Sequence, residues 1–235
     1  MSTRSLIALK TKEGKVRFIY CHSDGYLGYN GMILNDYYKL YSRVEKLLNL
    51  GDISLLGTDP SVPLEESQDI QTSTYKIQTA CKDYYRLNGE LYKAKEVDFK
   101  EFNKLCQQHY GGCEYVYYFT PNKNGDYRWL YKKTKLFRKE DEYGYQDFYY
   151  MCGFKELTQR AIDLEGCMGW LYHLTRNLEM ISRYYDNKEQ ADKCFEDIEE
   201  AKTELNKTLT PKQYSKAVAL YQKDYAKARD YLAQL

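Results

Sequence analysis

The sequence predicts an α+β fold: an antiparallel sheet carrying short helices, followed by a C-terminal three-helix bundle or helical hairpin. Three observations carry this. Runs rich in β-branched and aromatic residues, separated by turn signals, occupy residues 1–150. From Phe154 onward apolar residues instead recur at spacings of three and four, the helical period. With 43% hydrophobic residues in 235, the chain can bury a core, which argues against disorder. The predicted division is an α+β domain over 1–150 and a helical bundle over 151–235.

In chain order, residues 4–10 and 15–21 are β-rich, and Thr11-Lys12-Glu13-Gly14 between them makes a hairpin. A chemically dense cluster, Tyr20-Cys21-His22-Ser23-Asp24-Gly25-Tyr26, follows the second strand and leads into a bend with Gly28 and Gly31. Residues 32–41 read as helix. Ser42 with Glu45 has the spacing of a capping box for the next helix, and Gly51 stands where a left-handed C-terminal residue belongs. Residues 57–73, with two of the four prolines, read as a surface loop, and 74–79 as a further strand. Asp98 with Glu101 predicts another helix start, stapled by Val97 and Phe102, and this helix runs to about Tyr110. Residues 113–119 alternate as a strand, and a turn over 121–125 leads into a partner at 127–131. Residues 134–150 read as strand or loop.

Three helices are expected after Phe154, the last opened by Thr210 and Pro211. Residues 186–204 hold eight acids against three lysines, and 211–235 five bases against two acids. That complementarity predicts antiparallel packing of these two helices. The alternatives are a self-contained bundle and a coiled-coil arm for homo-oligomerisation through residues 154–235. Gly166 and Gly169 would either admit a close helix neighbour or break the first helix in two.

The net charge of +1 lacks the basic excess of a dedicated nucleic-acid binder. No apolar run reaches the roughly 20 residues that span a bilayer. The apolar segment after Arg4 is too short for a signal-peptide core, so the expected location is cytoplasmic. Seven cysteines without a CxxC pair then read as reduced thiols, mostly in the core. Tyrosine is the outlier at 27 residues, a composition that suits sticky binding surfaces and equally follows from drift in an A+T-rich genome.

The dense cluster supplies most of the candidate binding residues: Tyr20, Cys21, His22, Asp24, Tyr26 and Tyr29. Cys21 and His22 are adjacent, so strand alternation points them to opposite faces. Cys21 would need His109 or His173 to activate it as a nucleophile; otherwise it is a small core residue. His22 and Asp24 fall on one face if the strand continues, which allows a carboxylate-oriented imidazole or a bond that locks the bend. Arg128 and Trp129 join the list from a stretch where Lys123, Lys132, Lys133, Lys135, Arg138 and Lys139 interleave with Tyr131 and Phe137. Such interleaving suits a nucleotide or single-stranded nucleic acid, and a solvated edge hairpin looks the same. Cys106-x2-His109-x3-Cys113 is one half of a metal-like spacing and lacks a second pair, so no metal or other cofactor is assigned.

The run from Ile19 through Tyr26, then Gly31, Leu34, Tyr38, and the segment Leu50-Gly51-Asp52-Ile53-Ser54-Leu55-Leu56-Gly57 resemble a family of small proteins from tailed bacteriophages and mobile elements of gut bacteria. The family pattern is Ile-Tyr-Cys-His-Trp-Asp-Gly-Tyr-Pro, a short helix, and Leu-Gly-Asp-Ile-Ser. The aromatic run 114–119 and Trp129 resemble its later hairpin. Ser23 stands where the family has Trp, and Leu27 where it has Pro. The resemblance covers about residues 4–131 and brings a phage origin but no activity to transfer. The expectation is therefore a phage accessory binding protein in the host cytoplasm, plausibly counter-defence, with a host protein or small signalling nucleotide as partner. The alternatives are a hydrolase or transferase using Cys21, His22 and Asp24, and a virion-associated assembly protein.

Overall fold

A computed structural model describes residues 3–71, 76–84, 92–141, 144–181, 183 and 187–235, with backbone alone for 135–141 and 144–150. The chain divides into two compact units, Met1–Thr158 and Gln159–Leu235. The division falls after Thr158 rather than at 150 because the strand Gly144–Met151 and the short strand Lys155–Glu156 both pair within the first unit.

Unit one is α+β, as the sequence predicts. Strands β1 (Ser5–Lys10) and β2 (Val16–Cys21) form the expected hairpin, closed by Gly14 N–H donating to the Thr11 carbonyl at 3.0 Å. Helices α1 (Met32–Tyr37) and α2 (Tyr41–Asn49) lead to β3 (Ile53–Leu55). Strand β4 (Asp69–Gln71), in the stretch read as loop, and β5 (Lys76–Gln78), within the strand expected over 74–79, make a separate two-stranded ribbon. After β6 (Lys82–Asp83) and β7 (Lys95–Val97) comes α3 (Phe99–Gln107). The unit closes with β8 (Tyr115–Pro121), β9 (Tyr127–Asp141), β10 (Gly144–Met151) and β11 (Lys155–Glu156).

The large sheet runs β10-β9-β8-β1-β2-β3-β6, with β7 also on β2 and β11 on β9. It is mixed rather than purely antiparallel: β1 pairs with β8, and β2 with β3, in parallel. Strand alternation divides its core. Leu6, Ala8, Val16, Phe18, Val116 and Tyr118 pack with Phe102 and Cys106 of α3. The alternate residues Ile7, Leu9, Ile19, Cys21, Tyr117 and Phe119 are equally buried on the opposite face.

The helix starts separate two kinds of sequence signal. Asp98 caps α3 as predicted, its Oδ1 accepting the Glu101 N–H at 2.8 Å, and Phe102 is fully buried. Ser42 does not cap α2. The cap position is Leu40, no side chain bonds there, and Ser42 lies inside the first turn. Arg43 secures that turn instead, donating to the Thr58 carbonyl at 2.9 Å and pairing with Asp59 at 3.2 Å. Gly51 does adopt the left-handed conformation expected after α2, with φ +81°.

Unit two has four helices among the described residues: α4 (Gln159–Ile181), α5 (Lys188–Thr208), α6 (Pro211–Lys223) and α7 (Tyr225–Leu232). The predicted last helix is split at Asp224, which ends α6 and caps α7 through the Lys227 N–H at 3.1 Å. The anticipated opening of α6 holds, with Thr210 and Gln213 forming a reciprocal capping box ahead of Pro211. Helix α5 lies chiefly along α4, not along α6, so burial of Leu171, Ile198, Ala201 and Leu205 in one core overrides the charge pattern. Helix α4 is continuous through Gly166 and Gly169, where a β-carbon would meet no atom within 4 Å. Neither a break nor a close helix contact results.

Candidate functional site

The dense cluster is first a folding device. Pairing continues briefly past β2, with the His22 and Ser23 N–H groups donating to the Ile53 and Ser54 carbonyls at 3.0 and 2.9 Å. Asp24 then takes φ +54°, a conformation to which Asn and Asp are best suited among non-glycine residues. Gly25 follows because a β-carbon there would lie 2.8 Å from Ser5 Cβ and 2.9 Å from the Arg4 carbonyl carbon. Its own carbonyl accepts the buried Tyr117 hydroxyl at 2.8 Å. Residues Leu27–Gly31 form a fully buried π-helical turn, a wide turn found mostly as a local insertion.

That turn delivers Asn30 to Cys21. The Asn30 amide donates to Ser5 Oγ at 3.0 Å and to Cys21 Sγ at 3.3 Å, and the thiol donates to the Ser23 carbonyl at 3.4 Å. Ser5, Cys21 and Asn30 are all fully buried. Burial pushes the Cys21 thiol up to about 12. A thiol held protonated and shielded from solvent is a poor nucleophile.

His22 does not pair with Asp24. Its Nδ1 lies 3.0 Å from the Tyr20 hydroxyl. The left-handed turn at Asp24 ends the alternation that the expected pair required. Burial, followed by Cys113, pushes the Tyr20 phenol up to about 12, with Arg4 opposing. The phenol therefore stays protonated and shares a hydrogen bond with Nδ1, whose direction follows the tautomer of the ring.

Asp24 is half-buried, and desolvation raises its carboxyl above the ordinary value. A raised folded-state value favours folding when the group is protonated, and that contribution is lost as pH rises through the folded value. Asp24→Asn keeps the left-handed preference and removes the charge. It is expected to raise the melting temperature at pH 7, with the gain shrinking towards zero in acid below the ordinary carboxyl range. Thermal melts of both proteins across pH 3–8 check this, and a lower melting temperature at pH 7 would contradict it.

What remains accessible is a group of rings. His22 stacks on Tyr84 with centroids 5.2 Å apart and planes at 21°. Tyr20 meets the edge of the same ring at 5.6 Å. All three are partly exposed. Asp52 ties them together: its Oδ1 accepts the Tyr20 N–H at 2.8 Å, and its carbonyl accepts the Tyr84 N–H at 3.1 Å. Arg4, exposed, adds a cation beside this group; its Nη1 is 3.0 Å from where a β-carbon on Gly112 would stand. Sequence reading missed Tyr84 and Asp52 as site residues because parallel pairing of β2 with β3 joins segments far apart in the chain. Asp52 lies inside the Leu-Gly-Asp-Ile-Ser segment, and that was its one signal.

The other candidates fall elsewhere. Tyr29 is buried at 5% exposure, and Tyr26 packs against it edge-to-face at 6.4 Å. Trp129 is buried beside Phe119, its indole N–H donating to the Tyr38 carbonyl at 2.9 Å. Arg128 is exposed and pairs with Glu156 at 2.8 Å. Among the described residues the basic–aromatic stretch does not form one surface. Lys132 is buried, donating to Asn103 Oδ1 at 2.8 Å and lying over the Phe154 ring, and Tyr131 is buried too. The side chains of Lys135, Phe137, Arg138 and Lys139 lie outside the described residues. Cys106 and Cys113 belong to the α3 core, and among the described residues no three His, Cys, Asp or Glu side chains group as metal ligands. No described helix is long and apolar enough to cross a membrane. Comparison with protein-family models, curated proteins and solved structures found no match to this chain.

Proposed function

We propose that this protein is a non-catalytic binding protein that captures a small nucleotide at Tyr20, His22 and Tyr84. The observation that carries the reading is the partly exposed ring group with a guanidinium beside it. Aromatic faces take a nucleobase, and Arg4 offers a counter-charge to its phosphate. The buried Cys21 thiol weighs against the hydrolase or transferase alternative. The resemblance of the Tyr20–Tyr26 segment to phage proteins supports a setting in an infected host cell, where sequestering a signalling nucleotide would counter defence.

Calorimetric titration with mononucleotides and cyclic dinucleotides tests the reading. Saturable binding is expected with at least one of them. Stacking on one aromatic ring is worth about 1–3 kcal/mol, so Tyr84→Ala should weaken binding by roughly 5- to 150-fold. Arg4→Gln should weaken phosphorylated ligands while sparing the bare nucleoside. No binding by any nucleotide, together with recovery of a host protein that Tyr84→Ala loses, would transfer the surface to a protein partner and overturn the nucleotide assignment.

A further inference from the structure

Helices α4 and α5 are zipped by apolar residues along most of their contact, but the seam changes character at one end. There α4 contributes His173, Arg176, Asn177 and Met180, and α5 contributes Gln190, Lys193, Cys194 and Asp197. Each set has the spacing i, i+3, i+4, i+7, the face a helix turns towards a neighbour. The side chains are too polar and too long to zip, and they leave a groove of about 410 Å³. That volume suits a small organic ligand.

The charge in the groove is unbalanced. Three lysines elsewhere in this unit are ion-paired: Lys202 with Glu199 at 2.6 Å, Lys227 with Asp224 at 3.5 Å, and Lys207 with Glu204. Arg176 and Lys193 have no carboxylate partner among the described residues, although α5 is rich in acids. Arg176 is instead held by Tyr172, donating to its hydroxyl at 3.0 Å with the guanidinium over the ring. Such a cation has already surrendered much of its rotamer freedom, so it loses less on meeting an anion. His173 lies between Trp170 and Tyr172, with centroids 5.9 and 5.6 Å away. Asp197 is the single acid lining the groove, and Met180 and the buried Cys194 supply apolar surface.

The geometry points to a second binding site in this groove, one that takes a small amphiphile with an oxyanion head and a short apolar body. Arg176 and Lys193 receive the head, the amides of Asn177 and Gln190 add donors, and the apolar body lies against Met180 and Cys194. Nucleotide capture in the other unit is not needed for it.

The probes are inorganic phosphate, phenyl phosphate and phenylacetate, each titrated into the full chain while the His173 ring protons are followed by NMR. Saturable shifts are expected with phenyl phosphate or phenylacetate, at least about fivefold tighter than with inorganic phosphate, because burying even a small apolar body is worth about 1 kcal/mol or more. Phosphate and carboxylate heads are told apart by comparing the two aromatic probes. Arg176→Gln with Lys193→Gln should weaken binding at least about tenfold while circular dichroism stays unchanged, since both residues are exposed. Absence of saturable shifts, equal affinity for all three probes, or shifts that persist in the double variant would overturn the site.

Discussion

Gly57→Ala is expected to cost about 3 kcal/mol or more and to lower the melting temperature of unit one by roughly 6–12 °C. A β-carbon at Gly57 would stand 2.2 Å from the Ala80 carbonyl oxygen, 2.3 Å from its carbon and 2.5 Å from the Thr79 oxygen. All three are backbone atoms, so no rotamer change relieves the contact. Gly57 N–H points at Cys81 Sγ at 3.3 Å, and the Gly57 carbonyl accepts the Tyr38 hydroxyl at 2.8 Å. Just beyond, Thr58 and Asp59 N–H groups donate to the Gln78 and Thr79 carbonyls. The side chain would thus push apart two backbones that are bonded on either side of it. Gly166→Ala supplies the contrast. It lies inside α4 with open space around the missing β-carbon, and alanine there should stabilise by about 0.5–1 kcal/mol. Urea unfolding followed by hydrogen exchange, resolved to each unit, reads both signs in one experiment. A neutral Gly57→Ala would mean that β3 and the segment before β6 can separate without loss.

These two glycines also mark how far the sequence could be read. Local signals translated well. The hairpin of β1 and β2, the Asp98 cap, the αL glycine after α2 and the Thr210 capping box each depend on residues within four or five positions, and each is present. What failed was non-local. Ser42 has the right neighbour at Glu45, but Arg43 reaches Thr58 and Asp59, and the helix starts from Leu40, two residues earlier than a Ser42 cap would allow. The parallel pairings of β1 with β8 and β2 with β3 join distant segments, and no periodicity announces them.

The site divides along the same line. Cys21 on the opposite face from His22 follows from alternation and is observed as burial of one and exposure of the other. The His22–Asp24 pair assumed that alternation continues, and a positive φ at Asp24 ends it. Tyr20 took Asp24's place because it is two residues back on a strand that is still regular, which puts it on the same side as His22. Trp129 was chosen as a binding aromatic from its basic neighbours, yet the sheet turns its ring inward to Phe119. Composition cannot tell a buried tyrosine or tryptophan from a displayed one. Tyr38 and Tyr117 make the point, since both are fully buried and both spend their hydroxyls on glycine carbonyls.

Phe102→Ala is expected to cost unit one about 3–5 kcal/mol. The ring is fully buried, 5.4 Å from Phe18 and 5.8 Å from Tyr118, and joins α3 to the β1, β2 and β8 face. Its removal leaves a cavity that the strands cannot collapse into, because their own ladder bonds fix them. Phe99 sits one turn earlier on the same helix and also meets Tyr118, at 5.7 Å, but is 46% exposed. Phe99→Ala should therefore cost less than about 1 kcal/mol, and the pair separates burial from aromatic contact as the source of stability. The functional consequence is distinct. Phe18 lies two residues before Tyr20 on the same strand face, and its ring meets Tyr110 edge-on at 5.9 Å. Loss of Phe102 should loosen that support only as the unit unfolds. Well below the new melting temperature, Phe102→Ala should keep its nucleotide affinity within about threefold of the parent, whereas Tyr84→Ala loses affinity with little change in stability. Calorimetry at 10 °C beside a thermal melt of each variant checks both halves. If Phe102→Ala abolished binding while still folded, the ring group would depend on the α3 core far more tightly than its partly exposed position implies.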